Sequence, residues 1–544
     1  MRLHLKKLLV IFFLVQALPS KAQEKITLSG TIYDQSNKET LIGVTIYFPE
    51  LNSGTTTNEY GFYSITVPKG NYTIQVSYLG FKTLVEPVNL AEKTTKNFNL
   101  LEESESLDEI VIQTNVEKLN IRAPQMSINR LSASTIKQIP VVLGEADVIK
   151  SLILLPGVTS AGEGASGFNV RGGAADQNLI LLDEAIVFNS SHLFGFFSVF
   201  NPDVIKDIRL FKGGIPARYG GRLSSVLDIY QKEGNSKDFK VTGGIGLISS
   251  RLLAEGPIEK EKSSFLIGGR ASYAHLFLPL FDNDNTAYFY DLNSKINYRF
   301  NKNNNVFLST YFGKDVFGIS DDFVNKYGNT VVNLRWNHLF SDKIFSNLSL
   351  IYSDYFYGLK LDFVGFEWDS GITNYNLKYD FNHYISNTFK LSYGLNNIYT
   401  AFNPGEIVPN RENGVLPEKL TKKYANEFAA YVEAEHKISA KLTFQYGMRF
   451  SNFTRLGQDE LNFYENDNPV IYDQESRKYK SAEAAGVLVY ERGDVIENFN
   501  NIEPRFSFSY LLGEDSSFKA SYNRMVQYLH LLSNTSSPTP LDVW

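Results

Sequence analysis

From Phe239 onward, segments in which apolar and polar residues alternate recur over about 300 residues, and few architectures can use such a pattern. Leu442, Phe444, Tyr446, Met448 and Phe450 are separated by Thr443, Gln445, Gly447 and Arg449. Phe389, Leu391, Tyr393 and Leu395 alternate with Lys390, Ser392, Gly394 and Asn396; Phe518, Ala520 and Tyr522 alternate with Lys519, Ser521 and Asn523. Successive side chains of a strand point to opposite faces, so each segment has one aromatic or aliphatic face and one polar face. Soluble sandwiches and solenoids also alternate. Long amphipathic strands without intervening helical periods instead suit a membrane barrel, with lipid outside and a wet lumen inside. The 40 Phe and 32 Tyr, in a chain that is 14% aromatic, fit half-buried pleated surfaces and membrane interfaces.

The connections sharpen this expectation. Short turns stand at 259–262, 301–305, 341–343, 383–387, 439–440 and 513–516, with longer segments at 274–290, 314–329, 357–371, 401–423 and 456–501. Bacterial barrels place short turns on the periplasmic side and long loops outside. Parity then requires two strands within 239–257, reversing around Gly246, Leu247, Ile248 and Ser249. The count reaches 13 strands, an odd number that leaves two edges. Several unpaired backbone groups facing lipid cost on the order of tens of kcal/mol in total. The Pro538 and Pro540 stretch does not read as a closing strand. The expectation is an incomplete antiparallel transmembrane β-barrel whose C-terminal portion lies outside this chain.

The N-terminus reads as a secretory signal peptide over 1–22: Arg2, Lys6 and Lys7, an apolar core from Leu8 to Leu18, then Ser20, Lys21 and Ala22 as a cleavage site. Eleven residues rise about 16 Å as a helix, roughly half a bilayer core. After cleavage, 49 positive residues face 59 negative ones, an unsuitable balance for sequence-independent nucleic-acid binding. Zero cysteines fit export and exclude lipoprotein acylation, thiolate metal sites and disulfide scaffolds.

Residues 23–101 read as a small β-sandwich, with strands at 26–33, 44–48, 54–57, 61–67, 70–79 and 95–101. A polar linker, 102–115, carries one isolated β-prone segment: Leu107, Asp108, Glu109, Ile110, Val111, Ile112 and Gln113. Residues 116–236 read as α+β, with a helix at 146–155 ended by Pro156 and Gly157, and strands at 168–171, 179–182, 205–211 and 225–230. The barrel portion is 237–544.

Together these residues resemble the TonB-dependent outer-membrane receptors. The first unit resembles the carboxypeptidase-D-regulatory-like domain, through Gly30-Thr-Ile-Tyr, Ile42-Gly-Val-Thr, Thr57-Asn-Glu-Tyr-Gly-Phe-Tyr and Gly70-Asn-Tyr-Thr-Ile. The segment from Leu107 to Gln113 resembles a TonB box. Phe168-Asn-Val-Arg-Gly-Gly, Leu179-Ile-Leu-Leu-Asp-Glu and the run from Asn201 to Leu223 resemble the plug, and Asn501-Ile-Glu-Pro-Arg-Phe a barrel motif. Arg171, Gly172, Gly173, Asp183, Gly213, Gly214, Arg218, Gly220, Gly221 and Arg222 are the plug-motif residues the resemblance singles out. Complete members have 22 strands, so about nine would lie beyond this chain. The glycan-importing SusC-like subgroup is a near neighbour, although Gly220-Gly-Arg-Leu-Ser-Ser-Val-Leu-Asp-Ile replaces its alanine-rich plug ending.

No catalytic residue or metal-ligand set emerges. The seven histidines never form His-Glu-x-x-His. Gly162, Gly164 and Gly167 match a dinucleotide loop formally, but Phe168 to Arg171 reads as a strand where a helix is needed. The acidic run from Asp282 to Asn285 lacks the glycine of a calcium loop, with Ala287 in its place. No cofactor is expected. The resemblance implies active import: an inner-membrane TonB-type partner pulls on the exposed segment by strand addition and rearranges the plug. Outer-membrane lipid surrounds the barrel; the ligand is a small molecule, glycan or peptide, and a surface lipoprotein is a further candidate partner. A binding or signalling receptor without transport is the alternative. Arg171, Arg218 and Arg222 are expected to face either wall carboxylates or solvent.

Overall fold

The computed structural model describes residues 24–103, 126–139, 145–162, 167–281, 285–320, 322–410, 415–513 and 516–532. The leader, the segment from Leu107 to Gln113, the acidic run at 282–284 and the proline-rich end all lie outside these. Among the described residues, thirteen antiparallel strands follow one another in sequence order: β1 (Lys240–Ile245), β2 (Ser249–Glu259), β3 (Ser263–Ser272), β4 (Thr286–Asn301), β5 (Asn304–Ile319), β6 (Phe323–Ser341), β7 (Ile344–Leu361), β8 (Phe366–Tyr384), β9 (Phe389–Pro409), β10 (Lys423–Lys437), β11 (Leu442–Leu456), β12 (Val495–Leu511) and β13 (Ser517–Asn523). A two-residue strand, Glu418–Lys419, adds beside β9. The concealed hairpin is present: β1 pairs with β2, and Gly246 donates its N–H to the Ser249 carbonyl. Among the described residues β1 and β13 do not pair with each other.

Register explains the alternation. Ile296, Leu308, Leu334, Leu350 and Leu377 lie side by side across β4 to β8. They are 43%, 39%, 43%, 50% and 49% exposed, forming a continuous apolar belt. The row one residue earlier or later contains Lys295, Ser309, Asn333 and Ile351, all at most 5% exposed. One face therefore meets lipid and the other is covered by protein, as a period of two requires. No described helix is long and apolar enough to cross a membrane.

The long connections differ from the expectation. Residues 314–329 and 357–371 are mostly strand: Asp315 pairs with Tyr327, Tyr327 with Tyr357, and Tyr357 with Ser370, so β5 to β8 continue as one hydrogen-bonded sheet past the expected strand ends. Ladder pairing satisfies backbone groups that an irregular loop would leave to water. Separate hairpins stand instead within 456–501, Asp459–Phe463 with Gly486–Tyr490 and Val470–Asp473 with Lys478–Ser481.

Inside the curved sheet, residues 126–236 build a five-stranded sheet, ordered Ala185–Ile186, Asn178–Leu182, Ser225–Gln231, Ile205–Phe211, Ile128–Ser132. Its central strand, Ser225–Gln231, is buried along its whole length. Two short helices flank it, α1 (Ala133–Gln138) and α2 (Val148–Ile153); the second begins two residues later than expected because Asp147 caps it by accepting from the Lys150 N–H at 2.9 Å. Phe168, Ile208, Leu210, Leu227 and Ile229 form its core, against which the wall residues Tyr311, Val331 and Ile351 pack.

Residues 24–103 form a sandwich of two four-stranded sheets closed over Leu28, Ile32, Val44, Ile46, Tyr63 and Val76. One strand, Leu84–Leu90, was not expected: Pro87 argues against a strand, and it is tolerated because this strand lies at a sheet edge. The sandwich sits at the short-turn end of the barrel. Phe62 stacks on Phe345 at 5.7 Å, Lys93 pairs with Asp342 at 2.7 Å, and Lys437 donates to the Gly54 carbonyl at 3.1 Å.

Candidate functional site

The boundary between plug and wall is lined with charge of both signs on both sides. At several points the plug supplies the carboxylate and the wall the cation. Asp183 accepts from Lys295 at 2.9 Å, Glu184 from Lys378 at 3.2 Å, and Asp203 from Arg251 at 2.6 Å. Glu145 pairs with Arg270, which also reaches Asp291 at 2.7 Å and the Ser198 carbonyl at 2.7 Å. His192 lies between two wall carboxylates, Asp315 at 2.6 Å and Asp291 at 3.2 Å, with its ring stacked on Phe289 at 4.3 Å. Burial disfavours the His192 imidazolium, but Asp315 and Asp291 outweigh it and raise its pKa above the ordinary value.

Asp183 and Glu184 form the tight turn after Asn178–Leu182, both with left-handed backbones (φ 46 and 74). Neither is glycine, so this conformation costs energy and needs outside support. Glu184 receives it: Ser349 donates to it at 3.1 Å, Asn347 at 2.9 Å and Tyr60 at 2.7 Å. Burial would push the Glu184 carboxyl up, yet Lys378 and Arg335 hold it down at about 2.

That shift has a measurable consequence. A carboxyl held below its unfolded value stabilises the fold above that value, and the contribution is lost as pH falls toward the folded pKa. The stability difference between the native chain and Glu184→Gln should therefore be full above about pH 4.5 and shrink toward zero near about pH 2. Thermal unfolding of the two proteins across that window is the check. Taking the difference cancels other buried acids, such as Glu39 and Asp228, whose pKa values burial raises.

The expected plug residues are scattered rather than gathered into one pocket. Arg171, with φ 51, donates to Ser127 at 2.7 Å inside the plug, and Gly172 and Gly173 turn the chain after it. Gly213 and Gly214 end Ile205–Phe211. Gly220 is required by close approach: a Cβ there would collide with the guanidinium of wall residue Arg449. Gly221 and Arg222 lie beside wall residue Glu427, whose charge acts on the buried Arg222. Of the three arginines, Arg222 thus faces a wall carboxylate and Arg171 does not. Arg218 meets the first domain: Glu59 pairs with it at 2.7 Å and with neighbouring Arg209 at 3.1 Å. Burial would raise the Glu59 carboxyl, but Arg218 and Arg209 hold it well below the usual range.

The Glu59–Tyr60 turn was not singled out from sequence. Only its likeness to a domain motif marked it, and partners about 150 residues away leave no local signal. The same holds for Thr40, which donates to Glu233 at 2.5 Å beside Lys206 at 2.8 Å.

Comparison with known proteins agrees with this arrangement. The CarboxypepD_reg-like domain family matches residues 28–112, the TonB-dependent Receptor Plug Domain residues 120–225, and the outer membrane beta barrel domain residues 408–541. TonB-dependent receptor P3 of Formosa agariphila is 36% identical over 109 residues, 20% of this chain and 11% of that protein. Among solved structures, the copper transporter OprC aligns at TM-score 0.54 and 9% identity, over 73% of this chain and 64% of its own. The alcaligin outer-membrane receptor FauA from Bordetella pertussis aligns at 0.53 and 12%, over 77% and 65%. The Serratia marcescens hemophore receptor HasR aligns at 0.54 and 13%, over 77% and 68%. The chain thus spans about two thirds of the length of these structures. With matches to a regulatory-like domain, a TonB-dependent receptor plug domain and an outer-membrane barrel domain in this order, the chain has the domain organisation and fold of the TonB-dependent outer-membrane receptors.

Proposed function

We propose that this receptor imports a nutrient ligand across the outer membrane, with energy delivered mechanically at Leu107–Gln113 by a TonB-type inner-membrane protein. The observation that carries this reading is the filled lumen. A plug pinned by buried ion pairs to strands from β2 to β8 blocks passage and must be shifted before anything can cross. Force from outside the barrel can do this, and a β-prone segment between two folded domains offers backbone groups for strand addition to a partner. Arg171, Asp183, Arg218, Arg222 and the glycines of the plug motif act in this reading as structural parts of the movable plug. The neighbouring structures carry names that point to copper, alcaligin, a hemophore with heme and a ferric catecholate; glycans and peptides complete the ligand classes to test.

The test is a growth screen of cells that rely on this receptor, over limiting copper, haem, ferric siderophores, oligosaccharides and peptides. Removing Leu107–Gln113 should abolish growth on the one nutrient the receptor supplies while leaving surface binding of that nutrient intact. Unchanged growth on it would mean a binding or signalling receptor instead.

A further inference from the structure

A cavity of about 100 Å³ lies at the short-turn end, between plug and wall. Its lining is polar and includes Glu184 and Arg218 of the plug with Lys378, Lys390 and Ser392 of β8 and β9. Ser392 is three residues from the start of β9 and so close to the periplasmic rim. The remaining side of this cavity is neither plug nor wall. It is formed by Glu59 and Tyr60 of the N-terminal sandwich.

The turn that carries them is built to enter as a rigid piece. Asn58 accepts from the N–H groups of Tyr60 and Phe62, both at 3.0 Å, and Gly61 has φ 76, which suits glycine. The tip is then held on two sides. Glu59 bridges Arg209 and Arg218 of the plug, while the Tyr60 ring stacks on wall residue Phe345 at 5.1 Å and its hydroxyl donates to Glu184.

The chain order gives this contact a direction. Glu103, whose N–H donates to the Gly80 carbonyl, belongs to the sandwich and stands four residues before Leu107. Met126 touches the plug at Gly214 and stands thirteen residues after Gln113. At most about 3.5 Å per residue can be drawn out, so a pull at Leu107–Gln113 becomes taut on the sandwich after about 14 Å and on the plug only after about 45 Å.

We propose that the N-terminal sandwich is a second gate in series with the plug: its Asn58–Phe62 turn closes the polar cavity from the periplasm and is withdrawn before the plug moves. The withdrawal step rests on the import mechanism proposed above; the closure does not.

The native chain has no cysteine, so single cysteines report without background. Ser392→Cys places a thiol on the cavity wall. In purified receptor held in lipid nanodiscs, a charged methanethiosulfonate should label this thiol slowly when the turn is native. With Glu59→Gly and Tyr60→Gly it should label about tenfold faster or more, the factor expected when the contacts closing a local opening are lost. A change of less than about twofold overturns the gate. In living cells, a second pair, Ser53→Cys with Asn387→Cys, joins side chains that lie 3.4 Å apart and pins the sandwich to the wall when oxidised. Labelling at position 392 should then require an intact proton gradient and be blocked by the pin until it is reduced. Gradient-dependent labelling that ignores the pin also overturns the gate, whatever the folding of the glycine variant. If removing Leu107–Gln113 leaves labelling in cells unchanged while the turn variant still labels fast, the closure stands and the import mechanism fails. If the turn variant is unaffected while that removal suppresses labelling, the gate alone fails.

Discussion

Replacing Arg270 with methionine is expected to free the plug from the β3–β5 side of the wall, at a cost of about 3–5 kcal/mol, the usual loss when one member of a buried ion cluster is removed. Arg270 is 3% exposed and donates to Glu145 of the plug, to Asp291 of β4 at 2.8 Å and to the Ser198 carbonyl at 2.7 Å. Methionine keeps much of the volume and the contact with Phe289, so the change isolates charge. Glu145 would retain Ser249 and Asp291 would retain His192, leaving two buried carboxylates without their shared cation. Hydrogen exchange around α2, which follows Glu145 in the chain, is the measurement, and protection there should fall. Adding Glu145→Gln should restore part of it, because that change removes one uncompensated charge. Unchanged protection in Arg270→Met would mean that apolar packing alone seats the plug.

The second large effect lies on the opposite face. Leu350 is 50% exposed and six residues from the β6–β7 turn, flanked in register by Leu334 and Leu377. At a strand tilt of about 45°, six residues rise about 14 Å, close to the middle of the apolar layer. Leu350→Arg should therefore cost about 2–4 kcal/mol of stability in a bilayer. The same substitution at Leu512, beyond the end of β12, should cost about 0–1 kcal/mol, because arginine there reaches the interface. Equilibrium unfolding from lipid vesicles distinguishes the two. Equal costs would place the apolar belt in water rather than in lipid.

What could be read from the residues follows a physical division. Strand existence and facing were legible because each strand reports its own two environments in its own residues: Lys390, Ser392 and Gly394 against Leu391, Tyr393 and Leu395. The hairpin at Gly246 could be inferred only because the barrel imposes parity on everything after it. The extensions of β5 to β8 were read as loops, since Tyr327, Tyr355 and Tyr357 are buried there rather than lipid-facing and so do not show the membrane alternation. The ion pairs that position the plug were least legible. Asp183 meets Lys295 and Glu184 meets Lys378 across more than 100 residues, and nothing local in a carboxylate names its cation. Arg218 shows the difficulty plainly. Its type and place in a glycine-rich turn left a wall acid or solvent as its surroundings, whereas its partner belongs to a separate domain that closes on the plug from below.

The side-by-side rows of leucine and of buried polar residues in β4 to β8 also constrain how such a wall can change over evolutionary time. Inserting one codon between Ser349 and Leu350 would turn every later residue of β7 about, offering Leu350 to the acidic plug and its polar neighbours to the hydrocarbon. Inserting two codons would keep each residue on its side and only lengthen the strand. Viable length variation in this wall should therefore come in even steps within strands and in any number beyond their ends, a parity that related genes would carry as a record of where the bilayer lies.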